Sequence, residues 1–281
     1  MPTLHAVSRA RHGALRWTRY RDFGFAARDP VAPLVVQEIA LAALAGPVGF
    51  ICGDAHFTPV AVQGLEPGRN LLVDAAGIWT GDYVPAVYRS YPFVLGRAED
   101  AQQVLCVNEA SGLVAADGEA AFFDAAGQPS AALCDVRDFL TEVERNRAVT
   151  AELCALLARH CLIAPWPLEI IDATNPASTD PAGIGPAGIG PAGTGPQTVT
   201  GLYRIDEAAL NALPDTAFAE IRQAGALPLV YAQLLSLRSI DRLARLATAR
   251  RRQATVARPA KEPADLAAMF GLGGETLRFN F

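Results

Sequence analysis

The chain is short of the residues on which several chemistries depend. It has four histidines, and its 24 basic residues include a single lysine, Lys261. Two of the histidines, His5 and His12, fall in the first stretch of sequence, which leaves His56 and His160 as candidates for a metal site or for acid–base work. The five cysteines, Cys52, Cys106, Cys134, Cys154 and Cys161, are odd in number, widely spread and never in a CxxC pair. That spacing argues against a zinc ribbon and against a disulfide framework, and favours buried free thiols in a reducing compartment. Positive charge is not in excess either. A formal net charge of −5 favours neither nucleic acid nor an anionic membrane as a bulk partner.

Long apolar runs are also missing. The most apolar stretch, Ile39 to Cys52, is too short to span a bilayer, contains Gly46-Pro47, and is flanked by Glu38 and Asp54. Residues 1–28 are arginine-rich without a continuous apolar segment, so no conventional signal peptide is expected. The expected location is therefore cytoplasmic, with a surface reached only by an unconventional or partner-dependent route. No GxSxG elbow, Walker loop or HExxH occurs. Gly271-Leu272-Gly273-Gly274 lacks the lysine and the preceding strand of a phosphate loop, and no cofactor is expected.

What remains is a globular composition, 51% hydrophobic and 19% charged over 281 residues, enough to bury a large core. The arginine bias, alongside abundant Ala, Gly and Pro, reads as the codon usage of a GC-rich genome rather than as a functional sign. Residues 1–30 read as an irregular basic lead-in. From Val31 to Asp124 short apolar runs alternate with turn residues: Val48–Cys52, Pro59–Gln63, Asn70–Val73, Pro92–Gly96 and Val104–Val107. This predicts an antiparallel strand meander.

After Gly127-Gln128-Pro129 the period changes to helical, with apolar residues at Leu133, Val136, Leu140, Val143, Leu153, Leu156 and Leu157. One long helix, or two with a break near Asn146 to Thr150, is expected to run to about His160. Leu168–Ala173 and Thr198–Ile205 predict a late β-hairpin. Between them, at 180–196, the unit Pro-Ala-Gly-Ile-Gly repeats with a period of five, which excludes collagen and predicts a flexible tip. Asp206 is expected to cap a helix broken at Pro214-Asp215, where Asp215 restarts it as an N-cap. A further amphipathic helix is expected over Leu229 to Leu246. The class is α+β, with one domain over 31–246 and a linker and tail over 247–281.

One segment is unusually dense. Trp79 to Leu95 holds Trp79, Tyr83, Tyr88 and Tyr91, four of the nine Trp and Tyr residues, with Pro85, Arg89, Pro92 and Phe93 among them. Aromatic rings combine large burial with a polar handle, and an arginine among them is set for cation–π stacking or a carboxylate pair. With this motif, the chain resembles the bacterial SapC family. The resemblance extends over Phe57–Leu65, Asn70–Asp74, Phe122-Phe123-Asp124, Phe139-Leu140, Leu210–Asp215 and Leu227–Leu237, in order across residues 31 to 246. The Pro-Ala-Gly repeat and the extension after Leu246 depart from it. The resemblance implies an association with a bacterial surface layer and no defined activity. It also separates this chain from two namesakes, a permease with spanning helices and the disulfide-dense saposins.

Two functional readings follow. In the first, the protein is a non-enzymatic accessory or binding protein for a protein or peptide partner, with Trp79, Tyr83, Arg89, Tyr91 and Phe93 as binding residues. The same rings also suit a core corner, in which case Tyr83, Tyr91 and Phe93 are fully buried and Arg89 is paired internally. In the second, an enzyme acts on a peptide or small molecule through Asp54, His56, Asp74 or Asp82, which then gather around one pocket. Three lesser features have simpler readings. Cys154, His160 and Cys161 suit packed thiols, Arg250-Arg251-Arg252 a solvated basic linker, and Thr276–Phe281, with the alternation of a barrel strand, an edge strand or docking tail.

Overall fold

A computed structural model describes residues 3–54, 56–97, 102–170 and 197–256. The Pro-Ala-Gly repeat at 180–196, the glycine run at 271–274 and the alternating tail at 276–281 lie outside the described residues.

The lead-in expected to be irregular contributes β1 (Leu4–Ala6), α1 (Arg9–His12), β2 (Arg16–Trp17) and a 3-10 turn at Gly24–Ala26. They are held by chain far away in sequence. After β3 (Val31–Pro33), a 3-10 turn at Val36–Glu38 leads into α2 (Ile39–Ala45), the apolar run that is too short for a bilayer. Two hairpins follow as the alternation predicts, β4 (Val48–Gly53) with β5 (His56–Val62), and, after the short α3 (Ala86–Arg89), β6 (Phe93–Arg97) with β7 (Gln103–Asn108). Residues 70–73 form no strand. They make a turn with one bridge, Val73 to Trp79, because the Asn70 side chain bonds back into the fold instead. Strands β8 (Val114–Ala115) and β9 (Ala120–Ala121) close this half.

The strands do not form one meander. β1, β7 and β6 make one antiparallel sheet in the order β1-β7-β6, and β2 sits between β8 and β9 in another. The largest sheet draws on the other half of the chain. The pieces β10 (Ile163–Pro165), β11 (Leu168–Ile170), β12 (Gln197–Val199) and β13 (Leu202–Ile205) follow the long helix, and the five-stranded order is β10-β13-β4-β5-β3. β11 and β12 pair as the expected late hairpin.

The helix α4 (Ala131–Arg159) runs 29 residues without a break, a rod of about 43 Å at 1.5 Å per residue. Asn146 and Thr150 do not interrupt it because both are buried and bonded. Thr150 Oγ1 donates to the Asn146 carbonyl (2.6 Å) and accepts from the Val36 amide (2.8 Å). The rod joins two cores. Its first half brings Leu133 and Val136 to Trp17, Phe93 and Phe122. Its second half packs Leu153, Leu156 and Leu157 with Phe50, Ile205, Ile221 and Leu229 on one side of the five-stranded sheet. A third cluster, built from Val60, Val62, Trp166, Leu202 and Leu243, covers part of that sheet as well. Each fully buried large side chain here contributes about 1.5–3 kcal/mol.

Asp206 caps α5 (Glu207–Asn211) as expected, its carboxylate accepting from the amides of Ala208 and Ala209. α6 (Asp215–Gln223) starts with Pro214 at the cap position and Asp215 already helical, so Asp215 is a first-turn residue rather than the cap. The last helix is two: α7 (Leu227–Ser236) and α8 (Ile240–Val256), separated by a 3-10 turn at Leu237–Ser239. α8 continues through the basic stretch expected to be linker. No helix among the described residues is long and apolar enough to cross a membrane.

Candidate functional site

The motif from Trp79 to Leu95 is organised by a residue outside it. Glu38 is 5% exposed, and both its carboxylate oxygens are engaged. Oε1 accepts from the Val35 amide (3.0 Å), while Oε2 accepts from the Ala86 amide (2.8 Å) and the Tyr83 hydroxyl (2.7 Å). The local reason is visible in the chain. The 3-10 turn brings Glu38 back over the Val35 amide, and Pro85 in extended geometry starts α3 with the Ala86 N–H free to point outward. A buried carboxylate is stable only when paired and hydrogen-bonded, and here the motif supplies the donors.

Arg89 completes the group. Its Nη2 donates to Tyr83 Oη (3.2 Å) and lies 3.8 Å from Glu38 Oε2. The guanidinium carbon sits 5.8 Å from the Tyr83 ring centre and 5.3 Å from that of Phe139 on α4. The Arg89 side chain is nevertheless 45% exposed. Burial, and then the adjoining Glu38, push the Tyr83 phenol well above its ordinary range, so it remains a proton donor to that carboxylate.

Five residues were singled out from the sequence as binding candidates, and the fold distributes them over three environments. Phe93 is 1% exposed, edge-on to Trp17 at 4.9 Å, and belongs to the core rather than to a surface. Trp79 and Tyr91 are half-buried in an aromatic cluster completed by the lead-in. Tyr91 stacks on Phe25 at 3.8 Å with the rings 4° from parallel, and Trp79 lies 5.2 Å from Phe23 while its Nε1 donates to the Tyr83 carbonyl. Tyr83, half-buried, and Arg89, exposed, sit over the Glu38 carboxylate. Sequence reasoning overlooked Glu38, Phe23 and Phe25. The Tyr20, Phe23, Phe25 spacing in the lead-in was the available signal for the aromatics.

Glu38 also lines a groove of about 170 Å³ between α4, the β4–β5 hairpin and α3, with His56, Phe57, Val87, Val143 and Arg147 in its walls; Tyr83 and Arg89 reach it only through Glu38. Phe139, beneath Arg89, is one helical turn from Val143, so the guanidinium and the groove share one face of α4.

The four acid–base candidates are not gathered into one pocket. Asp54 and His56 lie exposed at the β4–β5 turn, where Asp54 has a left-handed φ of 48° and His56 Nδ1 lies 2.7 Å from the Asp54 carbonyl. Asp74 Oδ1 is spent on the amides of Ala76 and Ile78, closing a turn. Asp82 is paired with Arg242 at 3.1 Å. His160, the remaining imidazole a metal site would require, faces Glu220 at 2.9 Å. Among the described residues no group of three His, Cys, Asp or Glu side chains is placed to hold a metal ion.

Comparison with known proteins gives one result. The SapC family model matches residues 7–243, starting within the lead-in rather than at residue 31. No curated protein and no solved structure matches the chain.

Proposed function

The chain belongs to the SapC family, and on that premise we propose that it is a non-catalytic binding protein whose recognition surface is the groove beside Tyr83 and Arg89. The observation that carries this reading is the Arg89 guanidinium, half-exposed yet held in place by a buried carboxylate, Glu38, that itself lines an apolar-walled groove. A guanidinium so oriented has most of its five donors left for a partner carboxylate. At about 170 Å³ the groove is smaller than the roughly 300–1,000 Å³ of small-molecule sites. It suits one or two side chains of a protein or peptide segment that carries an acid nearby. The family's link to bacterial surface layers supplies the context for such a partner, and an expected cytoplasmic location makes that link depend on an unconventional or partner-dependent route.

The alternative, an enzyme acting on a peptide or small molecule, has one observation in its favour: His56 lines the same groove as Glu38. The two readings separate in a pull-down from the native host, with wild type, Arg89→Ala, Val87→Asp and His56→Ala as baits. Binding through the groove predicts that the first two variants lose a partner that His56→Ala retains. Arg89→Ala remains folded because Glu38 keeps its three other donors. Identical partners on all four folded baits would refute the proposal.

A further inference from the structure

A second groove, of about 620 Å³, opens between the end of α2 and α8, and its volume falls in the range of roughly 300–1,000 Å³ expected of a small-molecule site. One wall is apolar, with Pro47, Val62, Leu72, Leu243 and Leu246. The mouth carries Arg242, Arg245 and Arg250. Arg242 is paired with Asp82, and Asp74, a carboxylate that lines the groove, has one oxygen committed to its own turn. Arg245 and Arg250 have no ion-pair partner among the described residues. The stretch read from sequence as a basic linker therefore places two uncompensated cations at the edge of an apolar slot.

A chamber adjoining the groove carries an independent sign. Of about 20 Å³, it shares Ala45, Gly46, Pro47, Val62 and Leu72 with the groove, and Gln63 lines it. Gln63 is 0% exposed and its Nε2 has no hydrogen-bond partner among the described residues. The orientation of that amide follows from its neighbours. Asn70 Oδ1 accepts from the Leu72 amide and Asn70 Nδ2 donates to the Ala26 carbonyl, so Nδ2 is what Asn70 presents to Gln63. Gln63 must answer with its oxygen, which also accepts from Tyr88 Oη (2.9 Å), and its two N–H donors are left over. A buried donor without a partner costs about 1–3 kcal/mol, so an acceptor oxygen belongs beside it.

We infer that this groove binds an amphipathic anion. Its carboxylate or phosphate meets Arg245 and Arg250 at the mouth, its apolar body lies on Leu72, Val62, Leu243 and Leu246, and an acceptor oxygen at its inner end reaches Gln63 Nε2. This site is separate from the Arg89 groove and does not depend on that groove's role.

The test is calorimetric titration of the full-length protein at low salt with ω-hydroxydodecanoate, dodecanoate and dodecanol, all below micelle-forming concentrations. The expected result is binding of one ω-hydroxydodecanoate per chain, weaker binding of dodecanoate, and loss of at least about tenfold in affinity for the uncharged alcohol, the scale of one lost charge-assisted hydrogen bond. Arg245→Glu/Arg250→Glu and Ala249→Trp, both surface changes, should each lose a similar factor with melting temperature preserved. Equal affinity for the two acids would overturn the role of Gln63. The whole proposal falls if neither acid binds, or if both variants bind as wild type does. Sedimentation with anionic phosphatidylglycerol vesicles distinguishes the source of the anion. Vesicle binding without uptake of a monomeric acid would overturn the pocket and assign the arginines to a bilayer surface.

Discussion

Replacement of Glu38 offers the sharpest test of how the motif is held. In Glu38→Ala the Val35 and Ala86 amides and the Tyr83 hydroxyl lose their acceptor, and Arg89 loses its counter-charge. Each buried donor left unsatisfied costs about 1–3 kcal/mol, and contributions within one network do not add fully, so a loss of about 3–5 kcal/mol is expected. Glu38→Gln discriminates further. Its single oxygen, placed where Oε2 now lies, keeps Ala86 and Tyr83 but turns the amide nitrogen toward the Val35 N–H. One bond is lost, so the cost is about 1–3 kcal/mol. Urea unfolding of wild type and both variants measures these values directly, provided the slopes match. A double-mutant cycle of Glu38→Gln with Tyr83→Phe then isolates their coupling. If Glu38→Ala and Glu38→Gln both fall within about 0.5 kcal/mol of wild type, the range of ordinary surface changes, Glu38 does not anchor the motif.

Three further outcomes are expected. Phe93→Ala, which empties a site between Trp17 and Phe122, should cost about 3–5 kcal/mol in the same unfolding assay. Glu109 is held down to about 2, first by its hydrogen bond from Arg11 and also by Arg11, His5 and His12 charge. A carboxyl lowered in the folded state stabilises above its unfolded value and loses that contribution as pH falls through the folded one. The stability gap between wild type and Glu109→Gln should therefore shrink as pH falls from about 5 toward about 2; a gap independent of pH over that range refutes it. Burial pushes the Cys154 thiol up to about 12, while Cys52 and Cys161 are exposed. Iodoacetamide at mildly alkaline pH should label Cys52 and Cys161 in the native protein and reach Cys154 only on unfolding, as peptide mass spectrometry would show.

The sequence by itself determined the elements whose causes are local. The β4–β5 and β6–β7 hairpins follow from apolar alternation between turn residues, α4 from its 3.6-residue spacing, and the start of α5 from the Asp206 carboxylate facing its own first amides. It also determined which segment was special, since the Trp79–Leu95 density and the ordered motifs around it lead to the family. Tertiary structure decided the rest, because periodicity marks the buried face of an element and not the element that buries it. Only the folded chain brings β13 beside β4, or seats β1 against β7 more than a hundred residues away. Only folding sets Glu38 beneath Tyr83 and Ala86, which left Phe93 in the core, Tyr91 on Phe25 and Arg89 alone facing outward. The same holds for the arginines of α8, which read as linker until Leu243 and Ala247 packed against Val62 and Leu71 and left their charge bordering an apolar slot.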